Sequence, residues 1–353
     1  LLAEGADLID FGAGEPREET PAFIRDALKA ALDPLSTYPP ADGLPELRGA
    51  IAAWAGRRFG APLDPDTEVV PSFGSKEAIF HLALVLDGEC VAVPAPAYPV
   101  YERGALFAGK QVLPLPLLAE NDFLPDLEAV PWERVALLWL NYPNNPTAAS
   151  APLALFARAA ELARQHGFVV ASDEAYSEIY FGAEPPASAL QLSERENVAV
   201  FNTLSKRSSM PGYRSGFVAG DPDLIAALKR YRPNVGVAPP EFVQRAATAA
   251  WGDEAHVEEV RERYRAKRDI LLPALEAAGL RHAGGDATFF LWLDAGGDAD
   301  AVAAELLDIG IVVAPGSFFG PAGAGFLRLA LVPTPEECAR AAERLTGWRA
   351  GRR

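Results

Sequence analysis

Cysteine is scarce in this sequence, with only Cys90 and Cys338 among 353 residues. Two widely separated cysteines exclude a disulfide framework, and neither lies in a Cys-x-x-Cys pair or a Cys/His cluster of the kind that holds zinc. No metal site is expected, and a reducing cytoplasm is the predicted compartment. Long apolar runs are missing as well. The longest, such as Val135 to Leu140 and Phe326 to Leu331, are strand-length, against the roughly 20 residues that a membrane helix needs. No membrane span is expected. The sequence opens on Leu1, not methionine, and nothing near its start reads as a signal peptide. Positive charge is in deficit: a net charge of −16 repels phosphate backbones and argues against a nucleic-acid partner. Basic residues that matter should therefore act locally, inside a site. Internal repeats and low-complexity segments are also lacking.

What is present is the composition of a globular protein, half hydrophobic and 23% charged, and long enough for a large domain with a smaller companion. Short apolar runs at Val91 to Val93, Val135 to Leu140, Phe168 to Ser172, Val198 to Asn202 and Phe217 to Gly220 read as strands buried on both faces. Helical segments alternate with them, among them Glu77 to Leu86, Tyr101 to Ala108 and Pro152 to His166, the last bounded by Gly167. Such alternation predicts an α/β fold with a largely parallel sheet. After about Arg230 the texture changes, with long helices across Glu241 to Leu275. A second α/β portion follows, with strands at Thr288 to Leu293, Ile311 to Val313 and Phe326 to Leu331 and a helix at Ala299 to Leu307. A last helix runs from Pro335 to Leu345, with Thr334 and Glu337 placed as a capping box. The chain divides on this basis into an N-terminal arm of 1–35, a large domain of 36–235, and an interdomain helix with a smaller domain at 236–353.

In an open parallel sheet, ligands bind beyond the carboxyl ends of the strands. The run at Phe168 leads into Asp173, the run at Val198 into Thr203, Ser205 and Lys206, and the run at Val135 into the loop Asn141 to Thr147. Gly74-Ser75-Lys76 precedes a helix, whose free N–H groups suit a phosphate. Singly, each has an ordinary explanation. A lone lysine after a strand is usually solvent-exposed, an aspartate there is usually a cap, and Asn-Asn-Pro-Thr is common turn chemistry.

Their order and combination carry a resemblance. The segment from Thr203 through Lys206-Arg207-Ser208-Ser209-Met210-Pro211-Gly212-Tyr213-Arg214 to Gly216, with Gly12-Ala13-Gly14-Glu15-Pro16 and Phe326-Leu327-Arg328-Leu329-Ala330, resembles the class I/II aminotransferases of pyridoxal-phosphate fold type I. The resemblance spans nearly the whole chain. It implies pyridoxal 5'-phosphate as cofactor, with Lys206 holding it as a Schiff base and shuttling a proton; only an amine does this chemistry. It further implies that Asp173 pairs with the pyridine nitrogen, that Tyr176 and Asn145 hydrogen-bond the ring's phenolic oxygen, and that Tyr98 stacks on the ring. The phosphate would meet Gly74, Ser75 and Lys76, the hydroxyls of Thr203 and Ser205, and Arg214. Tyr38 matches a tyrosine that reaches the phosphate of the neighbouring subunit, which implies a homodimer with shared sites.

Arg328 lies in an apolar strand, where an unpaired guanidinium is costly and needs an anion. The resemblance makes it the clamp for the substrate carboxylate, with Asn145 and the Gly14 backbone completing that subsite. Two departures stand out: Ala148 follows Thr147 where relatives have glycine, and Arg17-Glu18 follows Pro16 where many have Asp-Phe. Arg17 is thus a candidate for the distal end of the substrate. Three stretches, Gly74 to Ala78, Ala95 to Glu102 and Ala249 to Val257, resemble succinyldiaminopimelate aminotransferases of lysine biosynthesis. The expected substrates are then an amino acid of that kind and 2-oxoglutarate. Aspartate, another diaminopimelate-type amine or broad-specificity transamination is the alternative, and a carbon–sulfur lyase shares the same key residues.

Overall fold

The computed structural model describes residues 7–35, 37–236 and 238–351. Its centre is a seven-stranded sheet in the order Val69–Phe73, Ser215–Gly220, Val198–Thr203, Val169–Asp173, Val135–Asn141, Cys90–Ala95, Gln111–Pro116. Five consecutive strands, from Val198–Thr203 to the Gln111–Pro116 edge, run parallel. The run ending at Gly220 forms the anticipated strand but points the other way, antiparallel to both neighbours. This reversal matters for function: it starts Ser215–Gly220 at the end of the sheet where the parallel strands finish, with Thr203 beside Gly216.

Both edge strands were absent from the sequence reading. They contain Pro71 and, at the other edge, Pro114 and Pro116, and proline lacks the N–H that a central strand must donate. Between the edges, alternate residues feed two cores. Leu138, Leu140, Val170 and Val200 pack with Trp54, Phe168 and Trp251 on one face. Leu137, Trp139, Ala171 and Phe201 pack with Tyr101 and Ile79 on the other. The connecting helix Leu153–His166 has Pro152 at its start and stops at Gly167, whose φ of 77° closes the turn.

A third core surrounds a four-stranded antiparallel sheet, ordered Ala314–Pro315, Phe326–Ala330, Phe290–Asp294, Arg281–His282. The N-terminal segment joins it, because Ile9–Asp10 pairs in parallel with Ile311–Val312. Helices Glu241–Gly252 and Ala255–Ala277 bridge the two regions. The final helix, Pro335–Gly351, begins with the expected reciprocal cap: Glu337 N–H donates to Thr334 Oγ1 at 3.2 Å, and Thr334 N–H to Glu337 Oε2 at 2.8 Å. No described helix is long and apolar enough to cross a membrane, and no cluster of metal-ligating side chains occurs among the described residues.

Candidate active site

Asn141, Asp173 and Thr203 end three neighbouring strands, and Asn141 and Asp173 are in direct register. They open onto a cavity of about 590 Å³ whose walls include Lys206, Lys76, Tyr98, Tyr176, Arg214 and Arg328. Lys206 sits in the four-residue helix Leu204–Arg207, begun by Thr203, whose Oγ1 accepts from Ser205 N–H at 3.1 Å. Its Nζ donates to the Gly14 carbonyl at 2.8 Å. Burial, and then the nearby Arg328 charge, bring the Lys206 ammonium down to about 8.

Asp173 is buried, and burial pushes its carboxyl up to about 6. The Tyr101 hydroxyl donates to its Oδ2 at 2.6 Å and Ala175 N–H to its Oδ1 at 3.2 Å. No described cation forms an ion pair with it, so its charge is left for a cationic ligand. Arg328 presents the opposite case. Its guanidinium lies 4.3 Å from the Phe290 ring centre and 4.5 Å from that of Phe319, donates to Asn145 Oδ1 and the Gly12 carbonyl, and meets no described carboxylate. Burial lowers it to about 10, so an anionic ligand is needed to balance it.

The third charged corner is an anion cradle. Among the described residues Arg214 donates only to the Pro211 and Phe73 carbonyls; the same cavity is lined by Ser75 and Lys76, at the start of helix Gly74–Leu82, and by Thr203 and Ser205. Gly74 has a φ of 66°, and a Cβ there would lie 2.5 Å from Arg214 Nη2. Tyr98 is half-buried, 5.7 Å from the Lys76 Nζ by its ring centre. The Tyr176 ring rests against Phe289 and Phe290, and burial pushes its hydroxyl up from the ordinary tyrosine value.

Two candidates are not brought in. Tyr38 is 92% exposed on its own chain. Arg17 does not line the Lys206 cavity; it pairs with Asp10 at 3.1 Å and borders a neighbouring cavity of about 800 Å³. The chain passes the wall at Glu15 and buries Pro16, and Asp10 gives Arg17 a nearer anion. Sequence reasoning missed Tyr101, for which the only signal was its three-residue spacing from Tyr98, and missed Gly12, Glu15 and Phe319. The Ala148 departure holds its backbone at a φ of 61°, a conformation that glycine adopts more readily.

The model of the family described as aminotransferase class I and II matches residues 6–345. The chain belongs to this family. It is a pyridoxal-phosphate-dependent aminotransferase with the fold type I architecture. It is 41% identical to the LL-diaminopimelate aminotransferase of Aquifex aeolicus, over 98% of this chain and 92% of the relative. With the Gloeobacter violaceus protein of the same name the identity is 42%, over 97% and 90%. An aminotransferase from Neisseria meningitidis superposes with a TM-score of 0.92 at 37% identity, covering 98% of this chain and 93% of that one.

The aminotransferase's residues fit its cofactor by donor chemistry. The cradle around Gly74 offers hydroxyls, N–H groups and an unpaired guanidinium to a phosphate. Asp173 offers a buried carboxylate, lacking a cation, to a ring nitrogen. Lys206 offers an amine in the cavity that Asp173, the cradle and Arg328 also line.

Proposed function

We propose that this aminotransferase moves the amino group of LL-diaminopimelate to 2-oxoglutarate, or the reverse, in lysine biosynthesis. The observation that carries the reading is that relatives at 38–42% identity, over more than nine-tenths of this chain, are named LL-diaminopimelate aminotransferases. The succinylated amine expected from the sequence is the narrower alternative. Glu15 on the cavity wall favours the unmodified donor, whose distal end pairs an ammonium with its carboxylate; succinylation replaces that ammonium by a neutral amide and adds a second carboxylate, which Glu15 would repel.

Lys206 is the residue we assign to hold the cofactor and to carry the proton at the substrate α-carbon. An amine whose affinity for a proton has fallen to about 8 can give and take one near neutral pH. Bound pyridoxal phosphate supplies the electron sink. Asp173 keeps the ring nitrogen protonated, Tyr101 and Ala175 hold Asp173, and Tyr98, Tyr176 and Asn145 border the ring. Arg328 grips the α-carboxylate in a two-pronged contact, with Asn145 and the Gly14 backbone beside it. Gly74, Ser75, Lys76, Thr203, Ser205 and Arg214 take the phosphate. Tyr38, exposed on its own chain, reaches the partner's phosphate in a homodimer. The large domain of 36–235 bears the cofactor, and 236–353 with part of the arm of 1–35 makes up the smaller domain.

A panel of single amino acids mixed with purified holoenzyme, in the absence of any 2-oxo acid, tests the reading. LL-diaminopimelate should bleach the lysine-bound cofactor absorbance, and 2-oxoglutarate should restore it. Bleaching by aspartate alone would replace the donor, and turnover without a 2-oxo acid would make the protein a lyase.

A further inference from the structure

The stretch Ala249 to Val257, which carries part of the subgroup resemblance, contributes no wall to the Lys206 cavity. It grips instead the residues that follow the lysine. Arg207 is fully buried, with its guanidinium 4.6 Å from the Trp251 ring, an ion pair to Glu254 at 2.8 Å and a bond to the Ala250 carbonyl at 3.3 Å. Ser208 is also fully buried, and its Oγ lies 2.8 Å from His256 Nε2. His256 Nδ1 lies 2.7 Å from Asp253 Oδ1, which also accepts the His256 N–H at 3.0 Å. On the far side Thr20 Oγ1 donates to the Ser209 carbonyl at 2.6 Å, and Phe23 sets its ring edge against His256 at 5.4 Å.

Serine, histidine and aspartate in this order have the arrangement of a nucleophile and its base. The nucleophile reading fails here because Ser208 is fully buried, with no surface for a substrate to reach. The arrangement instead fixes direction. Asp253 is held ionised by the His256 bonds, so Nδ1 bears the histidine's proton and Nε2 is left to accept from the Ser208 hydroxyl. A helix of four residues cannot hold its own orientation. Leu204–Arg207 is one, and it leads into Ser209, a non-glycine residue at a φ of 49°. Lys206 must nevertheless aim its amine to within tenths of an ångström.

We propose that His256, oriented by Asp253, is a positioning residue that holds Ser208 and thereby fixes the turn aiming the Lys206 amine. This rests on the assignment of Lys206 as the cofactor lysine, so borohydride fixation followed by peptide mapping comes first. Label on another lysine overturns that assignment and this proposal with it. With label on Lys206, the half-reaction with LL-diaminopimelate is followed in a single turnover, using donor bearing hydrogen or deuterium at the α-carbon. His256→Ala and Ser208→Ala should each lower the rate roughly 10- to 100-fold, as misplacement of a reacting group does, and raise the isotope effect. Half-saturation by donor should stay within about threefold, and His256→Gln, which keeps an acceptor, should recover most of the rate. The double variant should be no slower than either single one. Ser208→Ala removes one hydroxyl and serves should the histidine variant not fold. Rates within about twofold of wild type in folded variants, or losses that multiply in the double variant, would overturn the role of His256 while leaving Lys206 in place.

Discussion

Arg328 and Asn145, 183 residues apart, meet at 3.0 Å through Nη1 and Oδ1. The same guanidinium donates from Nη2 to the Gly12 carbonyl at 2.7 Å, while its buried Nε finds no acceptor. A cation held by neutral oxygens alone, with one donor unused, is poised for a carboxylate.

Arg328→Lys keeps the charge and loses the planar fork. kcat/KM should fall roughly 10- to 150-fold, the worth of one charge-assisted bond. Because amino donor and 2-oxo acceptor both present a carboxylate here, steady-state assays with each as the varied substrate should show similar losses. A loss confined to one substrate would move the clamp elsewhere.

Gly74→Ala places a Cβ against the Arg214 guanidinium at a φ of 66°. The left-handed backbone costs a residue with a Cβ about 1–2 kcal/mol, and the displaced arginine weakens the anion cradle. Titration of apoenzyme with pyridoxal phosphate should show affinity reduced by at least roughly 10-fold. Unchanged affinity would separate Arg214 from the phosphate.

Glu174 is wholly buried, with Oε1 taking bonds from Ser172 and the Ala189 N–H and Oε2 taking none. Burial raises its carboxyl from 4.5 to about 7. A raised carboxyl means that the folded chain favours the proton, so this contribution to stability is full below pH 4.5 and is lost as pH rises through about 7. Glu174→Gln should therefore stabilise the apoenzyme by about 1–3 kcal/mol at pH 8, and the gain should vanish near pH 4. Denaturant unfolding at the two pH values measures both.

Tyr38 lies on the surface of its own chain, whereas Lys206 is half-buried on the wall of the cavity. Variants inactive through Tyr38 and through Lys206 should complement each other when mixed, because one heterodimer site is intact. Proven subunit exchange without recovered activity would leave Tyr38 outside the site.

Arg17→Ala removes a half-exposed ion pair with Asp10, which is worth about 0–1 kcal/mol. kcat/KM for LL-diaminopimelate should change by no more than about fivefold. A larger, donor-selective drop would return Arg17 to the pocket mouth.

Much of the site was legible in the sequence, because chemistry and local geometry coincide there. Asp173 and Lys206 each follow a strand-length apolar run, and strands buried on both faces in a parallel sheet end where ligands bind. Arg328 declared itself as a charge inside an apolar strand. The α/β alternation and the capping box at Thr334 are likewise local patterns, fixed by neighbours a few residues away. What the sequence left open depends on contacts between distant segments. The prolines of both edge strands mask them locally, and an edge accommodates them because one side of each strand has no partner. The reversed direction of Ser215–Gly220 sets Arg214 beside the phosphate cradle, and it follows from how the chain returns after Lys206. Tyr101 reaches Asp173 across 72 residues, and Arg17 takes Asp10 as its anion because the N-terminal segment folds onto the C-terminal sheet. Residue chemistry was readable from the order and combination of the motifs along the chain; which charges meet, and which are left for a ligand, was decided by tertiary packing.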